Sequence, residues 1–197
     1  MSNSTLEVQI GAAKAYQALF VPALFAQWAP QVVDAARLAV GQRVLDVACG
    51  TGALAREAHL RTGLTGSVVG LDPNAGMLVV AGELAPSIDW RQGTAESMPF
   101  PNASFDVVLS QFGLMFMDRD RAIREMLRVL KPAGRLTVAV WDRIENIPAY
   151  LAEVELIERL AGARAADAVR APFVLGIANT WPRCSTVQAP VRWSLRH

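Results

Sequence analysis

The sequence predicts an α/β fold in which helices cover both faces of a doubly wound, mostly parallel sheet. Between residues 41 and 141, five short apolar runs alternate with segments of helical periodicity. Runs of this kind are typical of parallel strands that are buried on both faces. A glycine-rich turn joins the first run to the helix that follows it, and the chain of 197 residues is long enough for one domain with its own core.

Residues 43–56 are predicted to form the first strand, turn and helix. The strand Arg-Val-Leu-Asp-Val carries Asp46 among apolar residues, where a charge is costly unless something satisfies it. Gly50 and Gly52 follow, where a turn needs positive φ or a ligand approaches the backbone closely. Backbone N–H groups at the start of the next helix would face such a ligand, so the unit predicts a nucleotide site.

Two classes of ligand fit this unit. The pattern Gly-x-Gly-x-x-Ala from Gly50 to Ala55 matches a dinucleotide fingerprint, and Asp72 lies about 20 residues on, where an acid binds a ribose hydroxyl. The fuller string Asp-Val-Ala-Cys-Gly-Thr-Gly, residues 46–52, closely resembles motif I of class I S-adenosylmethionine-dependent methyltransferases. The string Val-Val-Gly-Leu-Asp that ends at Asp72 resembles the second strand of that family. The methyltransferase interpretation is therefore favoured.

The resemblance implies a cofactor site along the turn and the second strand. Asp46 would orient the turn, or contact the amino group of the methionine part through water, while the two glycines admit that part close to the backbone. Asp72 would bind both ribose hydroxyls and, with Pro73 after it, cap a helix in which Met77 faces the adenine. The motif residues carried over from the family are Asp46, Ala48, Cys49, Gly50, Thr51 and Gly52.

The segment Gly-Thr-Ala-Glu-Ser-Met-Pro-Phe-Pro, residues 93–101, resembles the adenine-binding loop of the same family. The residue matching Ala95 offers its backbone N–H to the ring there, and a neighbouring polar side chain contacts the amino group. Thr94 stands where many relatives have Asp and offers a hydroxyl without a charge. Glu96 is a further candidate for the site, or alternatively a structural anchor for the loop.

Residues 104–110 are predicted to form the fourth strand, and polar and apolar candidates follow at its carboxyl end. Ligands of open α/β sheets bind outside such ends. By resemblance, three residues would border the methionine part of the cofactor, and two would face an apolar acceptor, unless these side chains are ordinary core. The first group is Ser110, Gln111 and Phe112, and the second is Met115 and Phe116.

The N-terminal region, residues 1–40, is predicted to be helical, with Pro22 and Pro30 dividing it into two or three pieces. One interpretation is a packed helical layer. The other, implied by the resemblance, is a lid over the cofactor that shapes the acceptor pocket. The pocket candidates on this lid are Tyr16, Gln27 and Trp28, and Gly41 is expected to end the last helix.

The remaining core elements follow in the order of the family. A short strand is expected at 87–92, an amphipathic helix at 119–130, the fifth strand at 135–141 and a helix at 148–168. Strand order and motif spacing together resemble the ubiquinone/menaquinone-type branch of these enzymes, which is similar to the type 11 methyltransferases. The resemblance implies a Rossmann-like core at residues 41–176.

The pattern changes after Gly176. Residues 177–197 hold Trp181, Pro190 and Trp193, with neither a strand period nor a hairpin glycine, so the sixth and seventh strands of the family are doubtful. One hypothesis is an atypical tail produced by a frameshift in the gene, and the alternative is a natural short variant. Without those strands the fifth strand has an open edge, which predicts lower stability or a homodimer through that edge.

The composition excludes several classes of function. A net charge of +1 leaves no basic surface for nucleic acid, and no apolar stretch reaches the length of a membrane span. No secretory leader is recognised, so a cytoplasmic protein is expected. Two isolated cysteines and two histidines form no metal spacing, which predicts no bound metal.

The sequence thus predicts a methyltransferase that moves a methyl group from S-adenosylmethionine to an apolar or aromatic small molecule by in-line displacement. The alternatives are a non-catalytic remnant that still binds the cofactor, and an NAD-binding oxidoreductase. No residue is identified as catalytic: Tyr16 or an acid near the pocket could be a general base, whereas His59 is expected to be a surface or packing residue.

Overall fold

The computed structural model describes residues 3–175, in which five parallel strands form one sheet of order β3-β2-β1-β4-β5. The order reverses between β1 and β4, which creates the crevice where ligands of open α/β sheets bind. The strands are β1 (Arg43–Val47), β2 (Ser67–Asp72), β3 (Asp89–Gln92), β4 (Phe105–Gln111) and β5 (Leu130–Ala139).

Seven α-helices of the described chain surround this sheet, and the prediction of a doubly wound α/β fold is confirmed. The N-terminal region is divided as expected, because Pro22 lies in a π-helical turn, Val21–Phe25, that a 3-10 turn, Ala26–Trp28, follows. The α-helices are α1 (Asn3–Phe20), α2 (Ala29–Ala36), α3 (Ala53–Thr62), α4 (Ala75–Leu84), α5 (Arg119–Val129), α6 (Pro148–Ala161) and α7 (Ala163–Arg170).

Two apolar clusters cover the two faces of the sheet. Leu45 and Val47 face one cluster, which contains Met126 of α5, while Val44 faces the other, which contains residues of α2 and α3. Successive strand residues point to opposite faces, so Asp46 lies on the same face as Val44. The acid is therefore directed toward the side of the sheet that α2 and α3 cover.

Three predicted boundaries are wrong. Helix α2 ends at Arg37, which takes the left-handed conformation (φ 51°), so Gly41 only turns the chain toward β1. Strand β5 begins at Leu130, because the expected stop Lys-Pro-Ala-Gly is absorbed into the strand at a register shift opposite Phe105 and Val107. The helix expected at 148–168 is interrupted by Gly162 at φ 85°.

The C-terminal prediction falls beyond the residues that the structure describes. Residues 177–197, and with them the frameshift hypothesis, lie outside the range 3–175. Within that range no strand pairs with the outer edge of β5. Among the helices of the same range, none is both long and apolar enough to cross a membrane.

Candidate functional site

Side chains from β1, β4 and the N-terminal region enclose a small cavity at the carboxyl edge of the sheet. The cavity has a volume of about 30 Å³, enough for a single water molecule. It lies at the switch in strand order, as the sequence predicts. Its lining residues are Tyr16, Phe25, Asp46, Ala48, Cys49, Thr51, Ala53, Leu54 and Gln111.

Asp72 ties the end of β2 to the glycine turn after β1. Its Oδ2 accepts a hydrogen bond from the Gly50 amide at 2.9 Å, and its Oδ1 accepts one from the Asn74 amide at 2.8 Å. Asn74, not Asp72, caps α4, because its side chain accepts from the Met77 amide. The predicted capping role of Asp72 is therefore wrong, since its carboxylate is directed to the turn.

Asp46 is buried without a partner. It is 1% exposed, and both carboxylate oxygens are buried with no hydrogen bond. Burial, followed by the nearby charge of Asp72, raises the pKa of Asp46 well above its usual range, although the nearby Ala55 amide, in the first turn of α3, opposes the shift. Burial likewise raises the pKa of Asp72, although the amides of Asn74 and Gly50 oppose the shift. Apart from the Ala55 amide, the buried carboxylate of Asp46 has acceptor capacity that a donor or a cation of a ligand could satisfy.

The amides of the glycine turn point into the protein. Cys49 donates to the Leu71 carbonyl, Gly50 to Asp72 and Gly52 to the Cys49 carbonyl. These three amides are therefore not free to bind a ligand. The expectation concerned the amides at the start of α3, where the Ala55 N–H is directed toward Asp46, and it stays a prediction.

The indole ring of Trp90 explains why residue 52 is a glycine. A Cβ built at Gly52 would lie 2.3 Å from Cη2 of Trp90, and one at Gly70 would lie 2.4 Å from Cε3 of the same ring. The indole of β3 thus packs beneath the turn, held by a hydrogen bond from Nε1 to the Ala85 carbonyl at 3.0 Å. The ring thus gives a packing reason for a glycine at position 52, and the close approach of a ligand to this turn stays a prediction. A glycine inside β2 was the one signal of a close approach.

The N-terminal region closes over the turn. The Tyr16 ring lies 3.8 Å from the place where a Cβ of Gly50 would stand, and Thr51 Oγ1 donates to Gln17 Oε1 at 2.6 Å. Burial, followed by the charges of Asp72 and Asp46, raises the pKa of Tyr16 to about 12. The phenol is therefore protonated near neutral pH, which argues against Tyr16 as a general base.

An aromatic row continues from Tyr16 to the end of β5. The rings of Tyr16 and Phe25 lie 5.4 Å apart, and Phe112 stacks on Trp141 with centroids 4.2 Å apart and 14° between the planes. Phe112 contacts Phe25 and, edge to face, Trp28. Trp141, Tyr150 and Phe173 extend the row but were not predicted as site residues. The convergence of parallel strand ends was the signal that could have placed Trp141 beside Phe112.

Strained backbone accompanies this row. Phe112 and Ala48 both take positive φ, 55° and 58°, at the ends of β4 and β1. Gly113 stands between them, since a Cβ there would lie 2.6 Å from the Cβ of Ala48. Left-handed conformations in residues with a side chain cost about 1–3 kcal/mol each and cluster at functional sites. The strained residues therefore lie where the strand order of the sheet reverses, between β1 and β4.

Comparisons with known proteins agree with this geometry. Residues 45–138 match a family model described as a methyltransferase domain. Residues 45–138, which include most of the sheet, are therefore similar to a methyltransferase domain. The ubiquinone/menaquinone biosynthesis C-methyltransferase UbiE of Pseudoalteromonas translucida is 40% identical over 126 residues, 60% of this chain and 50% of the relative.

Other relatives extend the comparison. The demethylmenaquinone methyltransferase of Renibacterium salmoninarum is 46% identical over 114 residues, 57% of this chain and 47% of the relative. The chain thus spans about half the length of these curated relatives. A S-adenosylmethionine-dependent methyltransferase of Aquifex aeolicus shares the fold with a TM-score of 0.55, at 22% identity, covering 58% of this chain and 64% of that one.

The residues of the methyltransferase domain fit its cofactor, S-adenosylmethionine. The cofactor carries positive charge on its sulfonium and ammonium groups, and Asp46 offers two buried acceptors that lack partners. Asp72 uses two of about four lone-pair positions on the protein, which leaves acceptor capacity for hydroxyl groups. None of the residues that line the cavity is basic. A cavity of this composition favours a cationic ligand over a pyrophosphate.

Some predicted site residues of the methyltransferase domain lie elsewhere. Ser110 is fully buried, and strand alternation places it on the face of β4 opposite Asp46 and Gln111, so it does not line the cavity. Met115 packs against the core of that opposite face, and Phe116 is 72% exposed. The structure therefore removes all three from the cavity. Trp28 joins the aromatic row, although it does not line the cavity.

The predicted adenine loop is ordered by Glu96. Its Oε1 accepts a hydrogen bond from the Asp118 amide at 3.0 Å, which supports its alternative role as an anchor of the loop. Ala95 is buried, whereas Thr94 is exposed. Met77 lies in the first turn of α4, half-buried, and Pro73 accepts a hydrogen bond from Gln92 through its carbonyl. These positions remain predicted contacts of the cofactor.

The remaining reactive side chains form no further centre in the described chain. Burial raises the pKa of the Cys49 thiol well above its usual range, so this residue is a poor nucleophile. His59 Nε2 lies 3.3 Å from Ser87 Oγ on the far side of α3, away from the cavity lining. Residues 3–175 contain no cluster of three or more metal-ligating side chains.

Proposed function

We propose that this chain methylates a planar small molecule with S-adenosylmethionine as the methyl donor. The observation that carries the proposal is Asp46, a buried carboxylate whose two oxygens lack partners beside a cavity without basic side chains. Such a site favours a cation in the methionine position. A pyrophosphate there would meet two carboxylates, Asp46 and Asp72, which argues against a nicotinamide dinucleotide.

The residues divide the binding of the cofactor between them. Asp46 would receive the ammonium group, directly or through water, and Asp72 would bind the ribose hydroxyls while it holds the glycine turn through Gly50. Met77 and Ala95 would border the adenine. Tyr16 would cover the turn and exclude water from the reacting centre.

S-adenosylmethionine supplies a methyl group already activated on sulfur, and the C–S bond breaks toward sulfur as the acceptor forms its new bond to the methyl carbon. The protein therefore chiefly aligns the acceptor with that bond. When the attacking atom is a ring carbon of an electron-rich phenol, the ring proton leaves to solvent or to a base afterwards. The aromatic row of Phe25, Phe112 and Trp141 supports a planar acceptor.

The names of the relatives indicate a class of acceptor. One relative is named a ubiquinone/menaquinone biosynthesis C-methyltransferase, and the other is named a demethylmenaquinone methyltransferase. We therefore propose a reduced quinone-type ring, a hydroquinone, as the acceptor class. A net charge of +1 supports a small-molecule acceptor over nucleic acid.

Calorimetric titration of the full chain tests the cofactor. We expect binding of S-adenosylmethionine and of S-adenosylhomocysteine without a response to NAD, and a loss of affinity in Asp46→Asn. Asp89→Asn is the matched control, because Asp89 is an exposed carboxylate that pairs with Arg91 at the start of β3. Binding of NAD in place of both sulfur ligands would overturn the proposal.

Transfer of a labelled methyl group tests the reaction. The probe is a reduced 1,4-naphthoquinone that carries an isoprenoid chain and lacks the ring methyl group, incubated with methyl-labelled S-adenosylmethionine. Label in the organic phase, absent for Asp72→Ala, is the expected result. Binding of the donor without transfer to this ring would refute the acceptor class and leave donor binding intact.

Two further expectations concern the state of the protein. We propose that two copies of the chain pair through the outer edge of β5, which has no partner strand within residues 3–175. We also propose that the protein acts in the cytoplasm. Sedimentation tests the first point: a dimer is expected, and a monomer at all concentrations contradicts it.

A further inference from the structure

In the side-chain amide of Gln111, the nitrogen makes a hydrogen bond within the protein and the oxygen makes none. Gln111 ends β4, and its Nε2 donates to the Phe25 carbonyl at 3.0 Å. A backbone carbonyl only accepts, so this bond fixes the amide with nitrogen toward Phe25 and oxygen away from it. Oε1 is buried, has no hydrogen-bond partner, and belongs to a residue that lines the same cavity as Asp46.

The Phe25 carbonyl is available because the helix type changes there. Phe25 ends the π-helical turn, and the Ala29 amide donates to Ala26 in the tighter 3-10 pattern that follows. The carbonyl that this change exposes is the one that meets Gln111. The orientation of the Gln111 amide therefore depends on the N-terminal region being seated on the sheet.

The surroundings of Oε1 are aromatic. Phe25 lies on one side, and the neighbouring residue Phe112 stacks on Trp141. An unpartnered acceptor at the margin of flat apolar surfaces is suited to a planar ring that carries one donor. Asp46, on the same face of the sheet, already provides acceptors for the cationic part of the cofactor.

We propose that Gln111 is the residue that selects and positions the acceptor, by accepting a hydrogen bond from a ring hydroxyl through Oε1. This inference rests on the proposed function and adds a requirement to it: the acceptor presents a hydroxyl beside the methylated position. A ring without that hydroxyl leaves Oε1 buried and unsatisfied, which is the basis of strong discrimination in polar sites.

The test compares two probes of equal shape, 1-naphthol and 1-methylnaphthalene, by equilibrium dialysis against the full chain saturated with S-adenosylhomocysteine. Gln111→Met keeps the length of the side chain and removes both polar atoms. We expect this variant to reduce the preference for naphthol by about tenfold. Gln31→Met is the matched control, since the exposed Gln31 also donates to a backbone carbonyl, that of Gln27.

A second variant separates positioning from folding. Gln111→Glu keeps an acceptor and loses the donor to Phe25, so it retains part of the preference for naphthol, and thermal melting reports whether either variant folds. An unchanged preference in Gln111→Met would overturn the inference, and so would an equal affinity of the wild-type chain for the two probes.

The affinity for S-adenosylhomocysteine distinguishes a role of Gln111 in binding the acceptor from a role in binding the cofactor. The affinity for S-adenosylhomocysteine is expected to stay within about threefold in Gln111→Met. A parallel loss of that affinity would assign Gln111 to the cofactor and refute the inference. If the wild-type chain fails to bind S-adenosylhomocysteine, the proposed function fails, while the two naphthalene probes, dialysed without it, still report on Gln111.

Discussion

The carboxylate of Asp72 accepts a hydrogen bond from the amide of Gly50 at 2.9 Å, across the ends of two neighbouring strands. Its second oxygen holds the Asn74 amide at 2.8 Å, just before α4. One side chain thus connects β2, the glycine turn and the start of the next helix. The residue proposed to bind the ribose is also the residue that shapes the turn beneath it.

Asp72→Asn should weaken both folding and binding. An amide keeps one acceptor, so either Gly50 or Asn74 faces an N–H group and loses its bond, which costs about 1–3 kcal/mol for a buried donor. Affinity for S-adenosylhomocysteine should fall by about 10- to 100-fold. Chemical denaturation and calorimetry measure the two effects, with Asp89→Asn as control. A variant that loses neither stability nor affinity would contradict the role of Asp72.

Asp46→Asn should stabilise the protein while it weakens donor binding. Because the pKa of Asp46 is raised by burial, the folded chain holds this proton more tightly than the unfolded chain does. Its contribution to stability is therefore greatest at low pH and falls as pH rises from the ordinary carboxyl pKa toward the folded value.

The Asp46→Asn variant has no carboxyl group to titrate at this position and does not lose stability in this way. Its Tm should therefore exceed that of the wild-type chain by a difference that grows from pH 4 to pH 8. Each kcal/mol corresponds to about 2–4 °C for a chain of this size. Thermal melts across that range provide the measurement. An advantage that shrinks with rising pH would show that Asp46 is ionised and stabilising in the folded protein.

The preference for S-adenosylmethionine over S-adenosylhomocysteine should increase with pH. The two ligands differ in the sulfonium charge, and the raised pKa values of Asp46 and Asp72 mean that more negative charge becomes available as pH rises. Binding of the cation should also release protons, measurable by calorimetry in buffers of different ionisation enthalpy. Asp46→Asn should flatten the trend. A preference that is independent of pH would argue against a titrating carboxylate near the sulfonium.

Two glycines around Trp90 should respond in opposite ways to alanine. Gly52→Ala places a Cβ 2.3 Å from the indole at φ 82°, and overpacking with backbone strain should cost about 2–4 kcal/mol. Gly82→Ala meets the same ring at 3.8 Å inside α4, and should gain roughly 0.5–1 kcal/mol.

Chemical denaturation of both variants gives the comparison. Replacing Trp90 by Leu in the Gly52→Ala background should recover part of the loss, since the smaller side chain frees the space beneath the turn. Equal stability of the two alanine variants would mean that the indole does not limit the size of residue 52.

The fold and much of the cofactor site could be predicted because they follow from local pattern. Apolar runs of strand length, the acid inside β1 and the acid at the end of β2 are linear features, and parallel connections bring their carboxyl ends to one edge. Asp46 and Asp72 were located in this way. Ser110 was misplaced because assigning it to the site ignored which face of β4 it occupies.

The sequence by itself determined where the strands, the glycine turn and the two acids lie along the chain, since each of these features depends on residues that are close together in the sequence. Only the tertiary structure decided what those groups face. Three turn amides point inward, Trp90 fills the space beneath Gly52, and Gln111 meets the carbonyl of Phe25, 86 residues away. Contacts of that range depend on how helices and strands pack together, and no periodicity within a single segment encodes them.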